Sequence, residues 1–444
     1  MINFFSKIDK DTAKLLIHSK RYLSAIIISK VIYIVSVPIF TRWLSVSEYG
    51  IFSVFVSLLS ILIIFYLLGI NGAIPRYYYE DKNDFKLFMS SNLNFLLIWT
   101  FTISIVIVIN RSILSALVVI PEYLVVVLGV VAFFSSIFEV LKSYLQASQK
   151  SFKYNILSVT KTLFFVLLSL GLFYLLKQKH FLSIYISYII IALFFFIYSI
   201  VYFRKHKLWK YYLKRDYLTY SLSFGSPVVL HLLSLYILNN FDQVMINKMV
   251  GSKAVGLYSI AYQISMIYLF IIMGINQAWV PLFYEKMKNK EYVNIDNVLK
   301  RYSIFISILA VGFVIISPYL VKLLTTSDYL KAINVLPVIV IGFMFQYLYV
   351  QLVNYSFYEK KTLNIAIFSL LAASVNVALN YFLIPKFGYV AAAWTTVVSY
   401  VLLFLLHYIN VKYVLKIKNI VNLKIIVVPV FIAIIIVGIY TCVI

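Results

Sequence analysis

Acidic residues are scarce in this 444-residue chain, with 15 Asp and Glu against 39 Lys and Arg, and charged residues of both signs make up only 12% of it. A soluble domain carries about 25%, so a water-soluble fold is excluded. The single cysteine, Cys442, excludes a disulfide framework and a Cys/His metal cluster. No G-x-x-x-x-G-K-[ST] loop occurs, which excludes an ATPase motif of the chain's own. The period-2 alternation of a transmembrane barrel is missing as well. No cofactor is expected, and nothing here suggests an enzyme.

What is present is apolar sequence. Hydrophobic residues make up 63% of the chain, and the mean hydropathy is +0.96. A stretch of about 20 such residues crosses the hydrocarbon core as a helix, since only a helix satisfies its own backbone there. Stretches of this kind fall at 22–41, 49–70, 87–109, 123–145, 154–176, 181–203, 220–247, 255–280, 302–324, 333–357, 363–384, 390–409 and 423–443, which predicts thirteen spans. The first keeps Lys30 midway and has no small-x-small cleavage site, so it reads as a retained span behind an amphipathic surface segment.

The net charge of +24 does not signal nucleic acid, because the cations sit in short loops with no basic domain or stacking platform. They report topology. With the N-terminus inside, 28 of the 39 cations lie in inside segments and 9 outside, with Lys30 and Lys161 left within spans. The positive-inside rule then places the N-terminus in the cytoplasm.

"GINGAIPRYYYE", from Gly69 to Glu80, returns as "GINQAWVPLFYE", from Gly274 to Glu285. "YGIFS" at Tyr49 pairs with "VGLYS" at Val255, Asn155-Ile156 with Asn364-Ile365, and Ser187-Tyr188 with Ser399-Tyr400. Offsets drifting from 206 and 205 to 209 and 212 are those of loop insertions between two copies of a six-helix unit. The expected fold is therefore all-α and polytopic, with two six-helix lobes in parallel tandem over 1–203 and 218–410, a basic cytoplasmic linker at 204–217, and an extra C-terminal span in 411–444. Two parallel lobes suggest transport by alternating access; a duplication without a mechanical role is the plain alternative.

Ionisable groups inside spans are costly and tend to face a cavity or one another. Lys30, Glu139, Lys161 and Asp242 are such groups, and the first three fall at similar depth, about 10–12 Å from the inner side at 1.5 Å per residue. Snorkelling is the competing account for each lysine, and a salt bridge between Glu139 and either one is another. Span four sets Ser135, Ser136, Glu139, Ser143 and Gln146 on one face, which predicts a water-lined stripe. Span eleven sets Ser369, Asn376 and Asn380 on one face, suited to a cavity or to helix packing. The repeat sets Arg42 opposite Lys248 at the outer ends of spans one and seven. Tyr66, Tyr258, Tyr262, Tyr347 and Tyr355 offer aromatic faces for sugars or for packing.

"VPIFTRWLSVSEYGIFSV" (from Val37), "LLGINGAIPRYYYE", "NNFDQVMINKMVGSKAVGLYSIAYQ" (from Asn239) and "NVALNYFLIPKFGYVAAAWTTVVSY" (from Asn376) together resemble the Wzx-type oligosaccharide flippases. These O-antigen and capsule translocases belong to the multidrug/oligosaccharidyl-lipid/polysaccharide exporter superfamily. The resemblance implies a MATE-like two-lobe fold in the bacterial cytoplasmic membrane. It also implies translocation of an undecaprenyl-diphosphate-linked oligosaccharide for O-antigen, lipopolysaccharide or capsule biosynthesis. Under it, Lys30, Lys161, Arg42, Lys248, Asn376 and Asn380 are candidates for gripping diphosphate and glycan, and Glu139 and Asp242 are coupling or cavity carboxylates. The implied partners are the lipid-linked oligosaccharide and membrane lipids, with a coupling ion left open and no nucleic acid. A multidrug exporter, using the carboxylates on organic cations, is the rival reading. Relatives often have twelve or fourteen spans, against the thirteen read here.

Overall fold

The computed structural model describes residues 28–29, 31–80, 84–176, 180–361, 363–417 and 419–443. The amphipathic surface segment and Lys30 lie outside the described residues. Among those described, the regular structure is helical: α1 (Val31–Trp43), then α2 (Val46–Leu67), α3 (Ile70–Glu80), α4 (Phe85–Ile109), α5 (Arg111–Val118), α6 (Glu122–Ala147), α7 (Ser151–Leu175), α8 (His180–Lys205), α9 (Arg215–Met249), α10 (Ser252–Lys288), α11 (Tyr292–Leu324), α12 (Leu336–Tyr358), α13 (Leu363–Phe387), α14 (Tyr389–Ile409) and α15 (Leu423–Val443). Twelve of these helices are long and apolar enough to cross a membrane, and α1 is a shorter apolar helix at the first expected span. The chain is a multi-pass integral membrane protein.

Serine and threonine are tolerated inside these helices because their hydroxyls turn back onto the preceding turn. Ser53, Thr100, Ser187 and Ser199 each donate to the carbonyl four residues earlier, at 2.6–2.9 Å. A hydroxyl satisfied in this way costs little in a medium without water.

The chain forms two compact units. The first holds 1–39 and 58–229, the second 40–57 and 230–444, and the divisions fall within helices. Packing gives the reason for the placement of 40–57. The backbones of α2 and α10 meet so closely that a Cβ on Gly50 would strike the Ser252 carbonyl, and one on Gly256 the Val46 carbonyl. Tyr49 adds a hydrogen bond to Gln263 Oε1 at 2.7 Å.

In the first unit α6 is the axis, packing on α8, α4 and α3. Its side chains Phe138 and Leu141 are buried with Phe88, Leu93, Phe195 and Phe203. In the second unit α12 has that place: it is buried almost all round and packs on α14, α10, α11 and α15. The C-terminal helix α15 lies mainly against α11 and belongs to this unit's packing.

The linker between α8 and α9 is held in place by a polar clip on α4. The Lys210 and Lys214 amides donate to Ser90 Oγ and Ser91 Oγ at 3.2 and 3.0 Å. Asn94 Nδ2 donates to the Lys210 and Tyr212 carbonyls at 2.8 and 3.0 Å, while its Oδ1 accepts from Trp209 Nε1 at 2.9 Å. Hydrophobic patterning alone assigned these α4 residues to a plain span; the polar side chains satisfy a stretch of backbone that forms no helix.

The two copies of the repeated motif fold differently. Leu68 (φ 48°) and Gly69 (φ 74°) are both left-handed and end α2 before α3 begins, whereas Gly274 sits inside the unbroken α10. A Cβ on Gly69 would collide with the backbone of Gly225 in α9, but one on Gly274 would meet nothing within 4 Å. Equivalent substitutions therefore have opposite expected effects. Gly69→Ala should destabilise the protein by about 1–3 kcal/mol through overpacking and a left-handed Cβ, and Gly274→Ala should be neutral or stabilise by up to about 1 kcal/mol. Melting of the purified variants checks this, and equal shifts would refute the asymmetry.

Candidate functional site

Charged and polar groups gather at two places, one in each unit. In the first, α6 carries Glu139 and Lys142 one turn apart, where side chains at i and i+3 meet. Lys142 Nζ lies 2.7 Å from Glu139 Oε2, with the two side chains 21% and 27% exposed. Lys161 of α7 reaches the same neighbourhood, its ammonium 5.0 Å from the centre of the Phe138 ring. Lys142 stands 5.7 Å from that ring, so two cations share one aromatic side chain. Lys161 makes no ion pair and no hydrogen bond among the described residues. With one carboxylate against two ammonium groups, the cluster carries a net positive charge.

The salt bridge that the sequence allowed between Glu139 and Lys161 or Lys30 is thus made by Lys142, a residue the sequence reading passed over. Its spacing from Glu139 was the available signal. The water-lined stripe expected on span four is also divided. Ser135 and Ser136 are buried, and Ser136 donates to the Phe133 carbonyl at 2.8 Å, while Gln146 is exposed.

In the second unit Asp242 of α9 is 1% exposed. Its Oδ1 accepts from Asn380 Nδ2 at 2.6 Å, and its Oδ2 accepts from Tyr258 OH at 2.8 Å and Thr396 Oγ1 at 2.9 Å. Asn380 Nδ2 also reaches Asn376 Oδ1 at 3.1 Å, and Thr395 Oγ1 donates to Asn380 Oδ1. Four helices, α9, α10, α13 and α14, converge on this carboxylate. The donor set is neutral and rich in oxygen, with no ion pair to the carboxylate among the described residues, and such a set suits a proton or a hard cation. It would repel a diphosphate.

Asp242, Asn376 and Asn380 were separate candidates in sequence, and folding brings them together. Tyr258 was singled out only for its aromatic face, and Thr395 and Thr396 carried no signal beyond their place in the quoted stretches. Arg42 and Lys248 are exposed at the ends of α1 and α9. Of the five tyrosines offered for sugars, all are buried. Tyr66 pairs with Ser104, Tyr258 with Asp242 and Tyr347 with Ser303, at 2.7–2.9 Å, and Tyr355 accepts from the Val421 amide at 3.0 Å. These hydroxyls join helices.

Comparison with known proteins gives this arrangement its family. Residues 21–287, more than half of the chain, match the family described as polysaccharide biosynthesis protein, and residues 227–382 match the MatE family. A protein of the Lsg locus of Haemophilus influenzae is 27% identical over 369 residues, covering 80% of this chain and 88% of that protein. An uncharacterized membrane protein of the same organism is 28% identical over 374 residues, covering 80% and 87%. Among solved structures, the lipid II flippase MurJ in an inward closed conformation superposes with a TM-score of 0.78 at 15% identity, covering 94% of this chain and 91% of that one. An inward-facing multidrug resistance MATE transporter of the MOP superfamily gives 0.69 at 16% identity, covering 88% and 96%. Those likenesses establish the fold. The chain belongs to the polysaccharide biosynthesis protein family, in the superfamily that joins such flippases to the multidrug exporters.

Proposed function

We propose that the chain is a flippase that carries an undecaprenyl-diphosphate-linked oligosaccharide from the inner to the outer leaflet of the bacterial cytoplasmic membrane, for assembly of a surface polysaccharide such as O-antigen or capsule. The observation that carries this reading is the charge balance on α6 and α7. Glu139 pairs closely with Lys142, which leaves Lys161 without an ion pair of its own among the described residues. A charge left uncompensated in a membrane protein is expensive and marks a binding task. Here that task fits an anion, so the same cluster disfavours an organic cation at Glu139. The family match supports polysaccharide as the process served, and the surplus of Lys and Arg in alternate loops supports a cytoplasmic N-terminus.

The Asp242 cluster supplies the coupling element of this proposal. A buried carboxylate that exchanges neutral donors for a proton or cation changes the packing of four helices at once. It thereby couples ion binding to a two-state rearrangement. It is also the feature that keeps the multidrug-exporter reading in play.

Removing the protein from its host should make a lipid-linked oligosaccharide accumulate on the cytoplasmic face, with loss of the surface glycan and no change in resistance to cationic drugs. Lipid extraction with leaflet-selective glycan labelling reads the first effect, and growth inhibition reads the last. Intact surface glycan with lost drug resistance would reverse the assignment.

A further inference from the structure

A second cationic site stands at the helix ends of the first unit, apart from Glu139, Lys142 and Lys161. The turn from α6 to α7 presents Lys150, Phe152 and Lys153. Lys150 Nζ donates to Tyr202 OH of α8 at 3.2 Å and lies 5.4 Å from the Tyr144 ring centre. Lys153 Nζ sits 4.2 Å from the centre of the Tyr202 ring. His206 stacks on that ring at 4.0 Å, with Nδ1 2.9 Å from the Tyr202 carbonyl. The ammonium and the imidazole thus both pack on the Tyr202 ring.

Several features make this a built site. Tyr202 is only 5% exposed, so its ring is a fixed platform. Neither lysine forms an ion pair among the described residues. The Tyr202 hydroxyl accepts from Lys150, and no described group accepts its own proton. Two ammonium groups and a phenolic proton thus lie together with no carboxylate paired to them among the described residues. Phe152, between the lysines in sequence, is 66% exposed. An aromatic side chain flanked by lysines at a helix end is the composition that enters a bilayer at headgroup level. Lys153 lies eight residues from Lys161 along α7, which at 1.5 Å per residue sets the two tiers about 12 Å apart along that helix.

We propose that Lys150, Lys153 and Tyr202 bind the phosphate of an anionic phospholipid headgroup, with Phe152 seated among its acyl chains. The bilayer lipid is the occupant because the site stands at the helix ends, where headgroups surround the protein in large excess, while the deeper tier is left to the transported lipid. The positive pattern of the loops assigns this end to the cytoplasmic leaflet, whose anionic lipids attract such lysines.

The test uses the full chain in nanodiscs or detergent, with native mass spectrometry reading retained lipid. Phosphatidylglycerol should be retained in preference to phosphatidylcholine. The pair Lys150→Gln and Lys153→Gln should lower that retention about thirtyfold, from two lysines near a charged surface. Lys161→Gln should leave it unchanged. Tyr202→Phe, which keeps the ring and removes the hydroxyl, should give a smaller loss in the same direction without disturbing the fold. Equal retention of phosphatidylglycerol by wild type and double variant overturns the proposal. So does a double variant that loses undecaprenyl diphosphate while keeping phosphatidylglycerol, because the site would then load substrate. Neither outcome bears on Lys161, whose role is read separately from export.

Discussion

For the proposed flippase, replacing Lys161 by Gln should lower surface glycan export by about tenfold to a hundredfold at equal protein levels, since a hydrogen bond to a charged group is worth about 1.5–3 kcal/mol. Arg at this position recovers most of the loss, because it keeps the charge and its guanidinium forks onto phosphate oxygens. The expectation rests on Lys161 making no ion pair of its own among the described residues, with its ammonium 5.0 Å from the centre of the Phe138 ring. Lys142 acts through its partner. Lys142→Gln frees Glu139 from its 2.7 Å ion pair, and the released carboxylate then competes with diphosphate for Lys161 and repels it. Export should fall, and adding Glu139→Gln to Lys142→Gln should restore part of it. Outer-leaflet glycan measured in the wild type, Lys142→Gln, Glu139→Gln and the double variant gives the coupling between the two positions directly. Normal export by Lys161→Gln would return this lysine to the snorkelling account, and a double variant no better than Lys142→Gln would make the pair structural.

Asp242 separates charge from packing in the second unit. Asp242→Asn is nearly isosteric, and its amide can keep one acceptor toward Asn380 while its NH2 turns to Tyr258 and Thr396, whose hydroxyls accept as well as donate. The variant should fold, melt near the wild type, and export about tenfold less glycan or lower still, the effect of some 1.4 kcal/mol or more on the cycle. Asp242→Leu should be worse in a different way. It strands the buried donors of Asn380, Tyr258 and Thr396, at about 1–3 kcal/mol for each group left unsatisfied, and should lower the melting temperature sharply. If Asp242→Asn exports normally, the carboxylate holds helices together and couples nothing.

The difference between these two experiments mirrors what each kind of information contains. Apolar runs of span length, a surplus of cations in alternate loops and a motif repeated after 205 residues are properties of the chain in one dimension. They determined an all-helical membrane protein with an internal duplication, because a bilayer admits few other solutions for a backbone that must satisfy itself. The costly residues were legible for the same reason: a Glu or Asp within a span is conspicuous wherever its partner lies. Its partner was not. Glu139 meets Lys142 rather than Lys161, and Asp242 meets Asn380 across 138 residues, because helix rotation and tilt are set by side-chain packing that hydropathy does not encode. The repeat likewise could not show that Gly69 ends a helix while Gly274 continues one. That was decided by the backbone of Gly225, which approaches one copy so closely that no Cβ fits. Sequence determined which carboxylates the membrane makes expensive; only tertiary packing decided which side chains offset that cost, Lys142 for Glu139 and the Asn380, Tyr258 and Thr396 donors for Asp242.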